Sequence, residues 1–460
     1  MERSGGKEVS LSLYDTASRK VQIVAATNGT VTMYCCGPTV YRDAHVGNMR
    51  TFLLSDLVRR VLEMHGNKVE LIQNITDVGH MSEDHDSQDK MLAQAITEKK
   101  DPFEIARKYE ARFHKDLLQL NIKPAQHYPR ASESIELMQA MIAQLIVLGF
   151  AYIGEDASVY FDAQSFASYG AISGNRLDAL KPGHRYEYTE DGAKRFHADW
   201  ALWKSSGARS EMIWDSPWGP GFPGWHIECS AMSLHYLQGH VNLHVGGIDL
   251  RFPHHENERA QSNAITGNES VDLWLHGEHL LFEGRKMSKS SGNVVLLQEV
   301  IERGFDPLAV RLCFLENRYR SQMDLTWSAI EAADATVKRW RKKIASWGIG
   351  EITEDYAFLE IVDNDLDTPR AIQYLRTIEK DETLSDRSSR FLFADQLLGL
   401  ELNRLEAITP LSDEQTQLLN LRLKARNEKL WKESDELRIK LEETGLEIKD
   451  TKDGQAWNWR

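Results

Sequence analysis

The stretch that decides the fold is residues 31–75, VTMYCCGPTVYRDAHVGNMRTFLLSDLVRRVLEMHGNKVELIQNI. Apolar residues from Val31 to Cys36 are typical of a strand, and the turn Gly37-Pro38-Thr39 follows it. Residues 48–66 carry apolar side chains at helical spacing, and residues 68–75 are a second short apolar run. Strand, turn, helix and strand in this order predict a βαβ unit. Such units build a parallel sheet that binds ligands at the carboxyl ends of its strands.

In the rest of the chain, the spacing of apolar residues changes between the periods of helices and of strands. Residues 101–149 have helical periodicity, whereas residues 152–202 are less regular and include a strand-like piece at Ser158–Phe161, which predicts an insertion. Core signals resume at residues 240–265. After Gly292 the pattern is mostly helical to the end of the chain. We therefore expect a Rossmann-like α/β core, an insertion, the core again, and helical domains.

Composition narrows the class of protein. The chain has 460 residues, a net charge of −14 and four cysteines, of which Cys35 and Cys36 are adjacent. This excludes a disulfide scaffold and favours a reducing compartment. Residues 1–10 lack the apolar stretch of a signal peptide, and Leu137–Ile153 is too short and too polar to span a bilayer. We expect a soluble, cytoplasmic protein, whose acidic sum argues against non-specific binding of nucleic acid.

Two motifs suit a substrate that carries phosphates. The first, residues 36–48, ends a strand and puts His45 and Asn48 at the start of a helix, where backbone N–H groups favour anions. The second, KMSKSSGN, holds Lys286 and Lys289 in a loop suited to polyphosphate. Each motif alone is also typical of an ordinary turn or a solvated basic loop. Together they resemble the two signatures of the class I aminoacyl-tRNA synthetases.

A third group of residues predicts a metal site. Pro253 suits the first turn of a helix, which puts His254 and Glu258 one turn apart on one face. With Cys36 and Cys229 they supply two thiolates, an imidazole and a carboxylate, a set that suits tetrahedral zinc. Buried cysteines beside a capped helix explain the same residues without a metal. Three further side chains could replace a ligand: His226, His255 and Glu256.

The motifs stand within a longer resemblance. The strings WDSPWGPGFPGWHIECSAMS from Trp214 and GGIDLRFPHHENERAQS from Gly246 are similar to the cysteinyl-tRNA synthetase family, as are NITD from Asn74 and WLHG from Trp274. The resemblance covers nearly the whole chain. It implies one Zn²⁺ per chain, held by Cys36, Cys229, His254 and Glu258. Cys35 then points to the other face of the strand, and Cys313 is expected in the core.

The resemblance also implies the reaction. In this family ATP, with Mg²⁺, and L-cysteine form cysteinyl-adenylate and pyrophosphate, and the cysteine then moves to the 3′-terminal adenosine of tRNA(Cys). The residues that the resemblance places in catalysis are His45, Asn48, Lys286 and Lys289. Gly37, Gly247 and Asp249 join them at ATP, and Thr39, Thr76 and Trp225 surround the amino acid. Zinc would bind the soft substrate thiolate and so select cysteine over serine and alanine.

One residue departs from the family pattern. The first signature usually ends in a second histidine, where this chain has Asn48. An amide can donate a hydrogen bond to a phosphate oxygen, but it carries no charge. We expect a change in the tuning of the activation step rather than a loss of activity.

The predicted domains follow from the same resemblance. Residues 1–290 form the catalytic domain, which has a connective insertion at about 125–205. Residues 291–346 form the region that contacts the tRNA stem. Residues 347–460 form a helical anticodon-binding domain. Residues 347–412 hold 14 acids and 6 bases, so much of the negative charge is local. The side chains expected to contact tRNA are Lys338, Arg339, Arg341, Arg426, Trp431 and Asp435. Nothing in the sequence requires more than a monomer.

Two other functions are compatible with parts of the pattern. A cysteine ligase of the mycothiol-pathway type forms the same adenylate and joins cysteine to an amino sugar, but such ligases lack a full anticodon-binding end. A non-catalytic paralogue that binds RNA or a thiol metabolite would not need both lysines, His45 and all four metal ligands. The helical C-terminal region and the complete motifs favour the tRNA ligase.

Overall fold

A computed structural model of the chain describes residues 11–79, 89–180, 193–207, 209–287, 293–404, 411–451 and 454–459. The chain divides into two compact units, Met1–Asn403 and Arg404–Arg460. The strands of the described residues are β1 Ser12–Asp15, β2 Lys20–Ile23, β3 Thr30–Cys35, β4 Lys68–Gln73, β5 Ala151–Ile153, β6 Val159–Phe161, β7 Trp200–Ser205, β8 Gly221–Pro223, β9 Val241–Gly247, β10 Val271–Gly277, β11 Leu280–Phe282, β12 Arg285–Lys286, β13 Met323–Leu325, β14 Leu446–Thr451 and β15 Gly454–Trp459. The helices are α1 Val46–Met64, α2 Lys90–Glu98, α3 Pro102–Gln119, α4 Ile135–Val147, α5 Trp225–Tyr236, α6 Glu256–Thr266, α7 Leu297–Glu302, α8 Pro307–Leu315, α9 Trp327–Trp347, α10 Tyr356–Asp363, α11 Thr368–Lys380, α12 Arg387–Leu398, α13 Asp413–Asn427 and α14 Trp431–Glu443.

A four-stranded parallel sheet in the order β10-β9-β3-β4 forms the centre of the first unit. Tyr34 in β3 pairs with Ile72 in β4 on one side and with His244 in β9 on the other. Helix α1 connects β3 to β4 and packs on the sheet, so the predicted βαβ unit is confirmed. Every residue of β9 is buried, as expected where both faces of a parallel sheet are covered.

The adjacent cysteines of β3 face opposite sides of this sheet. Cys35 belongs to the apolar core that includes α1, whereas Cys36 belongs to a second core that includes Ile227 and Cys229 of α5. The predicted alternation is therefore confirmed. Cys313 is buried in α8, as predicted for a core residue.

A second sheet, which is antiparallel and has the order β5-β6-β7-β8, is formed mainly by residues of the predicted insertion, although β8 lies beyond its predicted end at about residue 205. Its tryptophans have packing roles. Trp200 stacks on Phe161 with ring centroids 4.4 Å apart, and Trp203 lies 6.2 Å from Trp218. Aromatic pairs at these separations add to the energy of area burial.

Two buried arginines fix α1 within the first unit. Arg50 donates four hydrogen bonds to carbonyls of Glu278, His279, Arg318 and Ser321, at 2.8 to 3.1 Å. Arg311 of α8 pairs with Asp56 of α1 at 2.7 Å, and both side chains are fully buried. The N-terminus of α1 is thereby held at the carboxyl edge of the parallel sheet.

The second unit contains α13, α14 and the hairpin of β14 and β15. The mostly helical pattern expected after Gly292 is confirmed by α7 to α14, but the hairpin at residues 446–459 departs from it. Gly445 follows α14 with φ +88, and beyond it Leu446 and Ile448 alternate as fully buried residues. Alternation with period two is the pattern of a half-buried strand. None of the described helices is long and apolar enough to cross a membrane.

Candidate active site and metal centre

The first signature begins where β3 and β4 end side by side. Gly37 passes so close to the β4 end that a Cβ there would lie 1.6 Å from the carbonyl oxygen of Asn74. Its N–H donates to Asn74 Oδ1 at 2.8 Å, and Thr39 forms a parallel bridge with Thr76. Only glycine permits this contact, which brings the two polar strand ends together.

His45 and Asn48 start α1 with a reciprocal cap. The Asn48 backbone N–H donates to His45 Nδ1 at 3.2 Å, and the His45 N–H donates to Asn48 Oδ1 at 3.1 Å. Burial, and then the charge of Arg42, lowers the pKa of His45 to about 4. The ring is therefore neutral near pH 7. Because Nδ1 accepts a hydrogen bond, the proton of the neutral ring lies on Nε2.

A cavity of about 790 Å³ opens beside this helix start. Its lining includes Asp249, Arg251, His279 and Lys286. A Cβ on Gly247 would lie 2.4 Å from Asp249 Oδ1, so a larger residue there would displace the Asp249 carboxylate. The structure thus brings Asp249 and Lys286 together, as the ATP assignment requires. Lys289 lies outside the described residues.

The four predicted zinc ligands converge in the protein interior. Cys36 Sγ lies 3.8 Å from Cys229 Sγ and 3.7 Å from Glu258 Oε1, and His254 Nε2 lies 2.9 Å from Glu258 Oε1. Their donor atoms all fall within 4.8 Å of one another. Two sulfurs bound at about 2.3 Å to one tetrahedral ion are about 3.8 Å apart. The spacing therefore fits zinc.

The electrostatics of this cluster also favour a cation. Burial, together with the neighbouring Cys229, raises the pKa of the Cys36 thiol. Burial opposes a charge on His254, but Glu258 and Cys229 hold the pKa of His254 well above its usual value. Glu258 Oε2 is buried and accepts no hydrogen bond within the described residues. A divalent cation would satisfy this oxygen and hold both sulfurs as thiolates.

The structure separates the possible substitutes for these ligands. Glu256 Oε2 accepts the backbone N–H groups of Ile172 and Ser173 at 3.0 and 2.8 Å, and Glu256 belongs to neither compact donor set found among the described residues. His226 Nδ1 lies behind His254, 2.9 Å from His254 Nδ1. His255 remains a geometric alternative, because Cys36, His244, His255 and Glu258 form a second compact donor set.

Two further histidines, His244 and His276, lie near the cluster, and both rings are neutral. Burial lowers the pKa of His244 to about 4, and burial followed by the charge of His244 lowers the pKa of His276 to about 3. His244 Nε2 lies 3.4 Å from Cys36 Sγ, and its ring stacks on Trp274 with centroids 4.5 Å apart. Neither residue is assigned a role by the sequence patterns, although His276 lies within the WLHG string and His244 lies two residues before Gly246.

The predicted amino-acid side chains lie next to the metal ligands. The Trp225 ring lies 4.2 Å from the His254 ring, and Thr76 is buried with its hydroxyl donating to Glu228 Oε2 at 2.8 Å. Thr39 is half-buried beside Thr76. Sequence reasoning missed Glu228 and Asn74. Both could have been sought as polar residues, one beside Cys229 and the other at a strand's carboxyl end.

The predicted tRNA contacts of α9 differ in exposure. Lys338 and Arg339 are about half exposed and pair with Asp334 and Glu379. Arg341 is buried, with its guanidinium bound to Asp306 and to the carbonyls of Leu400 and Glu401. We therefore withdraw Arg341 as an RNA contact, since helix periodicity turns it toward the core.

The remaining predicted contacts belong to the second unit. Arg426 pairs with Asp450 at 2.8 Å and is one-quarter exposed. Trp431 is 58% exposed at the start of α14, and Asp435 is exposed one turn later. Trp431 and Asp435 thus present an aromatic face and an acceptor to solvent on one helix.

Comparison with known proteins covers both units. Residues 22–335 match the family described as "tRNA synthetases class I (C) catalytic domain", and residues 409–457 match "Cysteinyl-tRNA ligase anticodon binding domain". The cysteine–tRNA ligase of Thermus thermophilus is 40% identical over 97% of this chain and 99% of its own length. The cysteine–tRNA ligase of Chlorobium chlorochromatii is 38% identical over 98% and 99% of the two chains.

Solved structures extend the comparison to the fold. The methionyl-tRNA synthetase of Mycobacterium tuberculosis in complex with methionyl-adenylate superposes with a TM-score of 0.53 and 13% identity. The superposition covers 80% of this chain and 89% of that one. At this identity the match concerns the fold, which is that of the class I synthetases.

Proposed function

The chain belongs to the cysteine–tRNA ligases, a family of class I aminoacyl-tRNA synthetases, and from that premise we propose how its residues divide the work. It is a ligase that activates L-cysteine with ATP and transfers it to the 3′-terminal adenosine of tRNA(Cys). The match of residues 409–457 to an anticodon-binding family supports this activity and not the joining of cysteine to an amino sugar.

We assign adenylate formation to the start of α1 and the wall of the neighbouring cavity. His45 presents Nε2–H and Asn48 its amide N–H₂, because their other polar atoms are engaged in the cap. These donors stabilise the charge on the α-phosphate of ATP, which is the phosphate that is attacked. Gly37 has no side chain, so the backbone at this position can approach ATP closely. Lys286 and Lys289 neutralise the pyrophosphate side, with Mg²⁺ bound to ATP. Asp249 accepts from the ribose, and Gly247 gives it room.

We propose that Cys36, Cys229, His254 and Glu258 hold one zinc ion. The convergence of these four donors within 4.8 Å is the observation that carries the proposal. Zinc, when bound, supplies a soft Lewis acid for which a cysteine thiolate is a far better ligand than a serine hydroxyl. Thr39, Thr76 and Trp225 orient the amino acid beside it. The family match favours His254 over His255 as the imidazole ligand.

We further propose that tRNA contacts Lys338 and Arg339 on the first unit and Arg426, Trp431 and Asp435 on the second. Stacking on aromatic rings and hydrogen bonds to base edges are the usual means of reading unpaired anticodon bases. We propose a monomer in the cytoplasm, since the active-site residues come from one chain and the thiols need a reducing compartment.

Cysteine-dependent ATP–pyrophosphate exchange, followed by charging of total tRNA with labelled cysteine, tests this function. We expect both activities. Exchange without charging would instead support a ligase for another acceptor, and the absence of both would support a non-catalytic paralogue.

A further inference from the structure

A buried chain of hydrogen bonds leads from the turn between β1 and β2 to the proposed metal ligand Cys36. Thr16 Oγ1 lies 2.8 Å from His276 Nδ1, and His276 Nε2 lies 2.8 Å from His255 Nδ1. His255 Nε2 then lies 3.3 Å from Cys36 Sγ. All four residues are buried. Thr16 and Cys36 are 20 positions apart in the sequence, and each directly follows a different strand.

The direction of every hydrogen bond in this chain follows from its last member. A cysteine bound to a metal is a thiolate and can only accept, so His255 Nε2 carries a proton. In a neutral ring His255 Nδ1 then accepts, and His276 Nε2 must donate to it. His276 Nδ1 in turn accepts, which leaves the Thr16 hydroxyl as the donor. The thiolate therefore sets the tautomers of both imidazoles, and the Thr16 hydroxyl completes the chain as the donor to His276 Nδ1.

The protein is shaped to hold this arrangement. A Cβ on Gly246 would lie 2.4 Å from Cε1 of His255, so glycine in β9 makes room for the ring. At the other end the Thr16 N–H donates to the Trp274 carbonyl at 3.0 Å, and the Trp274 N–H donates to Asp15 Oδ1 at 2.9 Å. Thr16 is thus fixed to β10 two residues before His276.

We propose that Thr16, His276 and His255 are positioning residues for the metal centre, and that their role is to hold a proton on His255 Nε2 toward the Cys36 thiolate. This inference rests on the zinc site proposed above. Without the Thr16 hydroxyl, the buried Nδ1 of His276 would lose its hydrogen-bond donor. The hydrogen bonds from His276 to His255 and from His255 to the Cys36 thiolate would then be less well supported, and the thiolate would be a poorer ligand.

The test compares Thr16→Val, which keeps the shape and removes the hydroxyl, with Thr16→Ser, which keeps the hydroxyl. Zinc affinity is measured by competition with a chromophoric chelator. We expect Thr16→Val to weaken zinc binding about tenfold, which is at the lower end of the effects seen for residues that hydrogen-bond to metal ligands. Thr16→Ser should bind zinc as tightly as the wild type. In cobalt-loaded protein, the sulfur-to-metal charge-transfer band should move to longer wavelength in Thr16→Val only.

The same variants separate a positioning role from a loss of structure. Thermal unfolding should show that the Thr16→Val protein is folded. If this variant does not fold, Thr16→Ala, which also lacks the hydroxyl, takes its place in the comparison with Thr16→Ser. KM for cysteine should rise in pyrophosphate exchange while KM for ATP stays unchanged. Unchanged zinc affinity and an unchanged cobalt band would overturn the proposal. A wild-type chain that binds no zinc would instead contradict the metal site itself.

Discussion

His45 and Asn48 hold each other in place with two hydrogen bonds at the first turn of α1. An asparagine can perform this capping as well as a histidine, because the cap requires only a side-chain acceptor for the His45 N–H. Unlike a histidine, Asn48 has no imidazole nitrogen and cannot carry a charge. Positive charge near the phosphates must therefore come from other groups, such as the lysines, Arg251 and Arg42, since His45 itself is neutral.

The neutrality of His45 gives a prediction about pH. A lowered pKa means that the ring is protonated only below about pH 4, so pyrophosphate exchange should show no loss from His45 ionisation between pH 8 and pH 5. The ring signal that disappears from the NMR spectrum in His45→Gln should titrate with a midpoint near 4. A midpoint near 6.5, the usual value for histidine, would contradict this prediction.

Cys229→Ser tests the metal site at a single atom. Replacing a thiolate by a hydroxyl removes a soft ligand from zinc, so we expect lower zinc content and a KM for cysteine raised by at least tenfold. The KM for ATP should change far less, because Asp249 and Lys286 line a separate cavity. Cys313→Ser, in a buried cysteine of α8, is the matched control and should leave zinc content unchanged. Equal effects on both substrates would contradict the zinc assignment.

At the scale of elements, the short-range signals were the reliable ones. The βαβ unit was predictable because residues 31–75 change period twice and carry a glycine turn. The C-terminal hairpin was missed although Leu446-Glu447-Ile448-Lys449 alternates, because this run is short and directly follows helical periodicity. The relative placement of Cys36 and Cys229, 193 positions apart, could be inferred only from the family resemblance. Glu228 and Asn74 were missed because their contacts, with Thr76 and with Gly37, join segments that are far apart in the sequence.

The element that most needs support is α1, and Arg311 tests that support. Arg311 is fully buried and pairs with Asp56, which Arg60 also contacts at 2.7 Å. We expect Arg311→Met to destabilise the first unit by about 3 kcal/mol, because a buried carboxylate loses one of its partners. Lys338→Met, which removes a half-exposed lysine from its pair with the buried Asp334, should cost about 1 kcal/mol or less, since the ammonium remains in contact with solvent. Thermal unfolding of the two variants measures the difference, and equal shifts would contradict this role.

At the scale of the whole molecule, the net charge of −14 gives a misleading picture of the partner. Recognition of tRNA can rest on local contacts, and the bases of α9 lie beside a segment that carries an excess of acids. Even these bases are partly neutralised, since Lys343 and Arg339 both pair with Glu379. Specific affinity must therefore draw on contacts other than bulk attraction, and an exposed aromatic ring is a suitable source.

Trp431 is the residue at which this argument can be tested. Its ring is 58% exposed on the second unit, and stacking of a base on an aromatic ring contributes about 1–3 kcal/mol. We expect Trp431→Ala to lower kcat/KM for tRNA about tenfold or more while pyrophosphate exchange, which needs no anticodon, is unchanged. Ile439→Ala removes an equally exposed apolar side chain from the same helix and should have little effect on either activity. Because the two variants remove similar exposed surface, equal losses would show that Trp431 acts through packing of the second unit and not through a stacked base.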